Sequence, residues 1–268
     1  MAIERWVAVT GGLLLLVAIG IRAWRSSQGR RRWGRLALGA EAGAAIALGI
    51  ALLLAIRGAG GWQPADLRQA AWGMALATVG VHLGLGWWTG SHSGGLVVGL
   101  VALALTLLGI FSFPGSDSPS ACPELASPAY MEWALFFVGA GGAAVAGSGG
   151  LASAFRERMQ RRGSSFSLPR RRDLHTLTAQ AAVLSLVALG AGLTVAAWWG
   201  WQTAGRPMSG DPREGWMAMA LLIVAMSRLA WQLERQAGRW AAGLAMAAAA
   251  VALLGLLAVP GLSWLPAP

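Results

Sequence analysis

The feature that most constrains this chain is the recurrence, eight times over, of an apolar run long enough to cross a bilayer. A hydrocarbon core about 30 Å thick is spanned by about 20 apolar residues in an α-helix. Such runs fall at roughly Trp6 to Ala23, Leu36 to Ile56, Ala70 to Trp88, Leu96 to Phe113, Tyr130 to Phe155, Leu174 to Trp199, Trp216 to Leu233 and Trp240 to Val259. Composition points the same way, with 56% hydrophobic and 12% charged residues and a mean hydropathy of +0.57. The chain reads as an all-α, polytopic transmembrane helical bundle of about eight helices, one integral membrane domain over residues 1–268. The connectors are short or rich in Ser, Pro, Gly and Arg, and none is long enough to fold alone.

Glycine and alanine crowd every span, which suits helices whose backbones approach closely in lipid. The string GAGGAAVAGSGG (139–150) lies inside the fifth span, so helix packing explains it better than nucleotide binding.

The formal charge of +10 comes from arginine alone. Blocks of arginine beside apolar spans set membrane orientation, which argues against nucleic acid as the partner. The first connector holds Arg25, Arg30, Arg31, Arg32 and Arg35. The fifth holds Arg156, Arg158, Arg161, Arg162, Arg170, Arg171 and Arg172, and the seventh holds Arg235 and Arg239 beside Arg228. All are odd-numbered, so the positive-inside rule puts them in the cytoplasm and both termini outside. The third connector, Thr89 to Gly95, has no arginine. With no small-residue cleavage site after it, the first run is expected to be a retained helix. The lone Cys122 excludes an intrachain disulfide and any CxxC chemistry.

Ionisable groups inside a membrane are costly and call for a functional hypothesis. His82 lies near the middle of the third span, and two readings stand: a neutral imidazole bonded to a neighbouring helix, or a ligand to haem iron. Glu41 lies in the first turns of the second span, near Arg35, where pairing or snorkelling accounts for it. Glu132 lies near the outer end of the fifth, His92 in the polar third connector, and His175 at the interfacial start of the sixth. No GxSxG, HExxH or GxxxxGK pattern occurs.

The remaining concentration of chemistry is Ala197 to Trp216, AWWGWQTAGRPMSGDPREGW, placed outside by the arginine count. Trp198, Trp199, Trp201 and Trp216 offer flat faces, and Arg206 and Arg213 offer guanidinium groups for carboxylates. On residue types alone an interfacial aromatic belt is the simpler account.

With its flanks, GLTVAAWWGW followed by DPREGWMAMALL, the segment resembles the WWD segment of the CcsA-type cytochrome c assembly family, approximately WGxxWxWDPKExW. Trp199, Gly200, Asp211, Pro212, Arg213, Glu214 and Trp216 match in order, with Arg213 where the family usually has Lys. LHTLTAQAAVLSLVALGAGLTVAAW is similar to the family's preceding helix, and PGLSW to its terminal PGLHSY. The resemblance covers about residues 70 to 265.

It implies a protein of the bacterial plasma membrane that holds haem b at the outer face for attachment to apocytochrome c, working with a second assembly membrane protein. Trp198, Trp199, Trp201 and Trp216 would form the platform, Asp211 would fix the loop, and Arg206 and Arg213 would meet propionates. His82 stands where the family has an intramembrane histidine. The family's other histidines fall at Glu132 or Trp133, at Ser263, and near Met226 and Ser227, and Gly210 replaces the Trp before the Asp. A bis-histidine outer site is therefore not available from this chain alone. The alternative is a divergent, HemX-like member without haem, serving as a structural or regulatory subunit. A transporter is disfavoured, because no pair of broken helices recurs in symmetry-related halves.

Overall fold

The computed structural model describes residues 2–28, 33–59, 61, 66–89, 94–112, 128–161, 171–207, 212–233 and 238–257. Among them are eight helices and no strand: α1 (Ala2–Gln28), α2 (Trp33–Gly58), α3 (Leu67–Thr89), α4 (Gly95–Phe111), α5 (Pro128–Arg161), α6 (Arg171–Ala204), α7 (Pro212–Leu233) and α8 (Gly238–Leu257). Seven are long and apolar enough to cross a membrane, and α4 is a shorter apolar helix of 17 residues. The protein is a multi-pass helical membrane bundle.

The packing of α4 shows that it traverses the same depth as its longer neighbours. Near its start Arg22 of α1 lies against Gly95. One turn on, a side chain at Gly99 would meet Ile19 at 3.0 Å. Further along, Gly12 faces Thr106 and Leu103, and at the far end Arg5 Nη2 donates to the carbonyl of Ser112 at 3.3 Å. α4 therefore runs antiparallel to α1 from the level of Arg22 to that of Arg5. At about 1.5 Å per residue this is roughly 25 Å, the short end of what a bilayer accepts. Its start is set by Gly94, whose φ of 81° lies in the left-handed region that glycine enters without strain.

α5 is the helix around which the others gather, packing on α6, α8, α3 and α4. Its glycines make that possible, because all but Gly149, which meets the side chain of Thr178, face a neighbour's backbone at a separation with no room for a side chain. A Cβ at Gly139 would meet the amide nitrogen of Leu189 in α6 at 3.0 Å, and one at Gly142 the carbonyl oxygen of Ala181 at 3.1 Å. At Gly141 it would meet the backbone of Ala77 in α3 at 2.9 Å, and at Gly150 the carbonyl oxygen of Ala242 in α8 at 2.9 Å. The α5–α6 contact is also bonded, with Ser185 Oγ donating to the carbonyl of Gly139 at 2.7 Å. Likewise Ser227 of α7 donates to the carbonyl of Ala241 in α8 at 2.8 Å.

These pairings put the starts of α1, α3, α5 and α7 and the ends of α2, α4, α6 and α8 at one end of the bundle. Arg156, Arg158, Arg172 and Arg228 lie toward the other, which the positive-inside rule makes the cytoplasmic, inner end. Exposed aromatic side chains mark both levels: Trp6, Phe111, Trp198 and Trp201 toward the outer end, and Trp24, Trp87, Trp88 and Trp240 toward the inner. That is the distribution interfacial belts require.

Two outcomes follow from this packing. Gly150→Val forces α5 and α8 apart and lowers stability by about 1–3 kcal/mol, the usual cost of overpacking. Gly190→Val, at a position with nothing within 4 Å, leaves the thermal midpoint in detergent unchanged. Separately, in a Cys122→Ser background, Gln202→Cys reacts with an impermeant maleimide added outside intact cells, whereas Arg158→Cys reacts only after permeabilisation.

Candidate functional site

At the outer end the tryptophan-rich stretch is mostly helix rather than connector. AWWGWQTA contains no breaker, so α6 continues through Trp198, Trp199 and Trp201 to Ala204. Gly205, at φ 66°, ends it with its N–H on the carbonyl of Trp201 at 3.2 Å. Trp198 and Trp201 are three residues apart on one face of α6, and that face points away from the bundle, at 53% and 64% exposure. Trp199, about 100° round the helix, is half-buried. Arg206 is exposed just beyond. Asp211 lies outside the described residues, as do His92 and Ser263.

α7 starts at Pro212, whose missing N–H costs nothing in a first turn, and carries Glu214 there, where a carboxylate complements the helix dipole. Trp216 packs toward α8, so closely that a side chain at Gly255 would meet its Cβ at 2.5 Å. Arg213 is buried, with its guanidinium carbon 4.7 Å from the ring centroid of Trp133 on α5. Trp133 in turn lies 6.1 Å from Phe137, and its neighbour Glu132 is half-buried at the same level. Glu214 is buried as well.

The structure thus joins Arg213 to the outer start of α5, where Glu132 and Trp133 stand. It does not gather the four tryptophans on one surface, since Trp198 and Trp201 look outward while Trp216 faces α8. Trp133 and Glu214 enter the sequence reading only as aligned positions, with no role of their own. The signal for Glu214 was its place in DPREGW; for Trp133 only the three-dimensional contact with Arg213 distinguishes it.

A second polar centre lies lower in the amino-terminal half. His82 is fully buried on α3, at 0% exposure, about 20 Å along the helix from Arg68 at its outer end. Its Nε2 is 3.9 Å from Oε2 of Glu41 on α2, and the same oxygen accepts a 2.6 Å hydrogen bond from Nη2 of Arg22 on α1. Glu41 is therefore paired with Arg22, not Arg35. The guanidinium occupies the space a side chain at Gly95 would need. At the outer end of the same helices Arg68 bridges Glu4 and Asp66, with Trp72 under its guanidinium at 5.8 Å.

His175 is at the inner end, edge-on to Trp231 at 4.5 Å. Of the positions where the resemblance expects a histidine in α7, Met226 is exposed and Ser227 is the buried donor to Ala241.

The residues can be tested against haem. Haem iron takes axial His, Cys, Met or Tyr ligands. The described histidines, His82 and His175, both sit in the inner half, so they do not complete a bis-histidine pair at the outer end. No group of three His, Cys, Asp or Glu side chains occurs among the described residues. Arg213 is the cation nearest this end's aromatic cluster, and it is buried against Trp133. Of the other residue types that bind haem iron, Tyr130 and Met131 stand at the outer start of α5, next to Glu132 and Trp133. No family model, curated protein or solved structure matches the chain.

The Arg213–Trp133 contact is itself measurable. A double-mutant cycle of Arg213→Ala and Trp133→Leu gives a coupling of about 0.5–2 kcal/mol in detergent unfolding, the range for a partly desolvated cation–π pair. Arg206→Ala, on an exposed residue, shows no coupling with Trp133→Leu.

Proposed function

We propose that the protein is a haem-handling membrane component of cytochrome c assembly, working at the outer face of a bacterial plasma membrane with a second assembly protein. The observation that carries this reading is the contact of Arg213 with Trp133. It unites the DPREGW segment with the start of α5, the two places the CcsA-type resemblance assigns to outer-face haem contact. Nothing in the sequence required segments about 80 residues apart to meet there.

In this reading Arg213 meets a propionate, Trp133 and Trp199 border the ring, and Glu132 and Glu214 fix the guanidinium's surroundings. Exposed Arg206 is free to swing to the second propionate. The haem supplies the group that becomes attached to the apocytochrome's cysteines. The family's histidine positions carry no histidine here, so iron ligands come from a partner or from Tyr130 and Met131 at the start of α5.

A second reading has its own support: Arg213 is buried on Trp133, and Trp198 and Trp201 face outward with the lipid belt. A family scaffold with those contacts turned inward serves as a structural or regulatory subunit without haem.

An absorbance spectrum of protein purified from haem-replete cells separates them. The first reading expects a Soret band, and Arg213→Ala lowers haem affinity about tenfold or more, as loss of a charge-assisted hydrogen bond of about 1.5–3 kcal/mol requires. A colourless protein that co-purifies with other membrane subunits supports the second. A colourless, solitary protein whose deletion leaves holo-cytochrome c unchanged overturns both.

A further inference from the structure

The inner end of the bundle carries cations that the outer-face reading does not use. The arginines Arg5, Arg22, Arg68 and Arg213 each have a protein partner: the carbonyl of Ser112, Glu41, the pair Glu4 and Asp66, and the ring of Trp133. Arg228 of α7 is different. It is half-buried within the apolar stretch of its helix (Pro212–Gln232), and it forms no ion pair among the described residues. Beyond its first turn α7 has no acid to offer it. A guanidinium so placed is costly in a bilayer unless an anion or water reaches it.

Two contacts fix the depth of Arg228 and its surroundings. Ser227 donates to the carbonyl of Ala241 at 2.8 Å, so on antiparallel α7 and α8 Arg228 stands level with Trp240, which is 74% exposed. An exposed tryptophan at a helix end marks the level of the lipid headgroups. Trp231, one turn beyond Arg228 on the same side of α7, meets His175 of α6 edge-on, with ring centroids 4.5 Å apart. Arg172, one turn before His175 on α6, is exposed and likewise forms no ion pair among the described residues. The contact of His175 with Trp231 therefore brings Arg172 and Arg228 to one seam between α6 and α7, about 9 Å apart along the helices at about 1.5 Å per residue. Asp173, the acid beside Arg172, is half-buried about 100° round α6, in the first turn where it complements the helix dipole.

We propose that Arg172 and Arg228, with Trp231 and His175 between them, bind the headgroup of an anionic phospholipid of the inner leaflet at the α6–α7 seam. The depth selects a lipid over a dissolved anion, because Arg228 lies at the headgroup level. The planar fork of a guanidinium matches two oxygens of a phosphodiester. A zwitterionic headgroup brings its own ammonium beside the two guanidinium groups, whereas an anionic one does not. The acyl chains run along the exposed apolar faces of the two helices, beside Val183 and Val187 of α6 and Leu222 and Leu229 of α7.

The test titrates the purified full chain, in a neutral detergent, with phosphatidylglycerol or phosphatidylcholine and reads the bound lipid by native mass spectrometry. The parent binds phosphatidylglycerol the more tightly, and Arg228→Gln lowers that affinity about tenfold or more, as loss of a charge-assisted hydrogen bond requires. Arg172→Gln, on an exposed residue, lowers it too. Arg35→Gln leaves it unchanged; this is the matched control, since Arg35 is exposed at the inner start of α2, which packs on α1 and α3. A general attraction of basic residues to anionic lipid gives the same loss in all three variants and overturns the proposal. So does equal binding of the two lipids by the parent, or displacement of phosphatidylglycerol by millimolar inorganic phosphate, which makes the site one for a dissolved anion. Co-elution of Arg228→Gln with the parent on size exclusion is the folding check. Should it fail, the parent's lipid preference and the contrast of Arg172→Gln with Arg35→Gln decide the question.

Discussion

The close approach of backbones to α5 is the constraint from which the rest of the structure follows. Lipid tails are as apolar as leucine, so helices gain nothing from hiding apolar surface from one another and associate through packing and interhelical hydrogen bonds. Dispersion falls off steeply with separation, and only missing side chains let two helices use it fully. On α5 the glycines fall on different faces: Gly139 and Gly142 toward α6, Gly141 toward α3, Gly150 toward α8. One helix with several bare faces becomes a post, and its neighbours take positions they could not hold around a helix of leucines. The outer contact of Arg213 with Trp133 depends on this, because α7 reaches α5 only where α6 and α8 are drawn in tightly on either side.

Much of the architecture was legible because membrane physics writes it in the simplest sequence signals. Span length, the position of arginines and the glycine string each map onto one structural consequence, and the order and orientation of the eight helices follow. The partner of Glu41 was not legible by proximity along the chain, which favours Arg35. Antiparallel hairpin geometry gives the right answer: residues roughly equidistant from the α1–α2 connector face each other, and Arg22 and Glu41 are such a pair. The extent of α6 was misjudged for a related reason. The sixth apolar run is expected to end at Trp199, yet AWWGWQTA has no breaker before Gly205, and backbone chemistry rather than side-chain polarity decides where a helix stops.

For the outer site, the sequence supplied the cast but not the grouping. A motif such as DPREGW says that a cation, an acid and an aromatic residue are close in the chain. It does not say which sides of α7 they occupy. Helical geometry separates Arg213 from Trp216 by three residues, yet the first turns to α5 and the second to α8. On α6 the same geometry places Trp198 and Trp201 outward, level with Trp6 and Phe111, where any membrane protein concentrates aromatic rings. The tryptophans therefore divide between a lipid-facing belt and an inward polar contact. What the structure brings into contact at this end is Arg213 and Trp133, not the four tryptophans together.

The two polar centres of the amino-terminal half bear on why such groups persist in a membrane. Replacing a buried ion pair with well-packed apolar residues is often neutral or stabilising, whereas removing one partner is costly. The outer cluster of Glu4, Asp66 and Arg68 has a plain structural use, since it ties the starts of α1 and α3 near the bilayer surface, where water lowers the cost. Arg22, Glu41 and His82 likewise join α1, α2 and α3. They lie deeper, where α1 packs closely on α2 through Gly11 and on α4 through Gly12 and Gly99. His82 Nε2 stands 3.9 Å from the oxygen that Arg22 holds at 2.6 Å. Removing Arg22 or Glu41 alone leaves the other's charge buried without its partner, so the pair is kept or lost together.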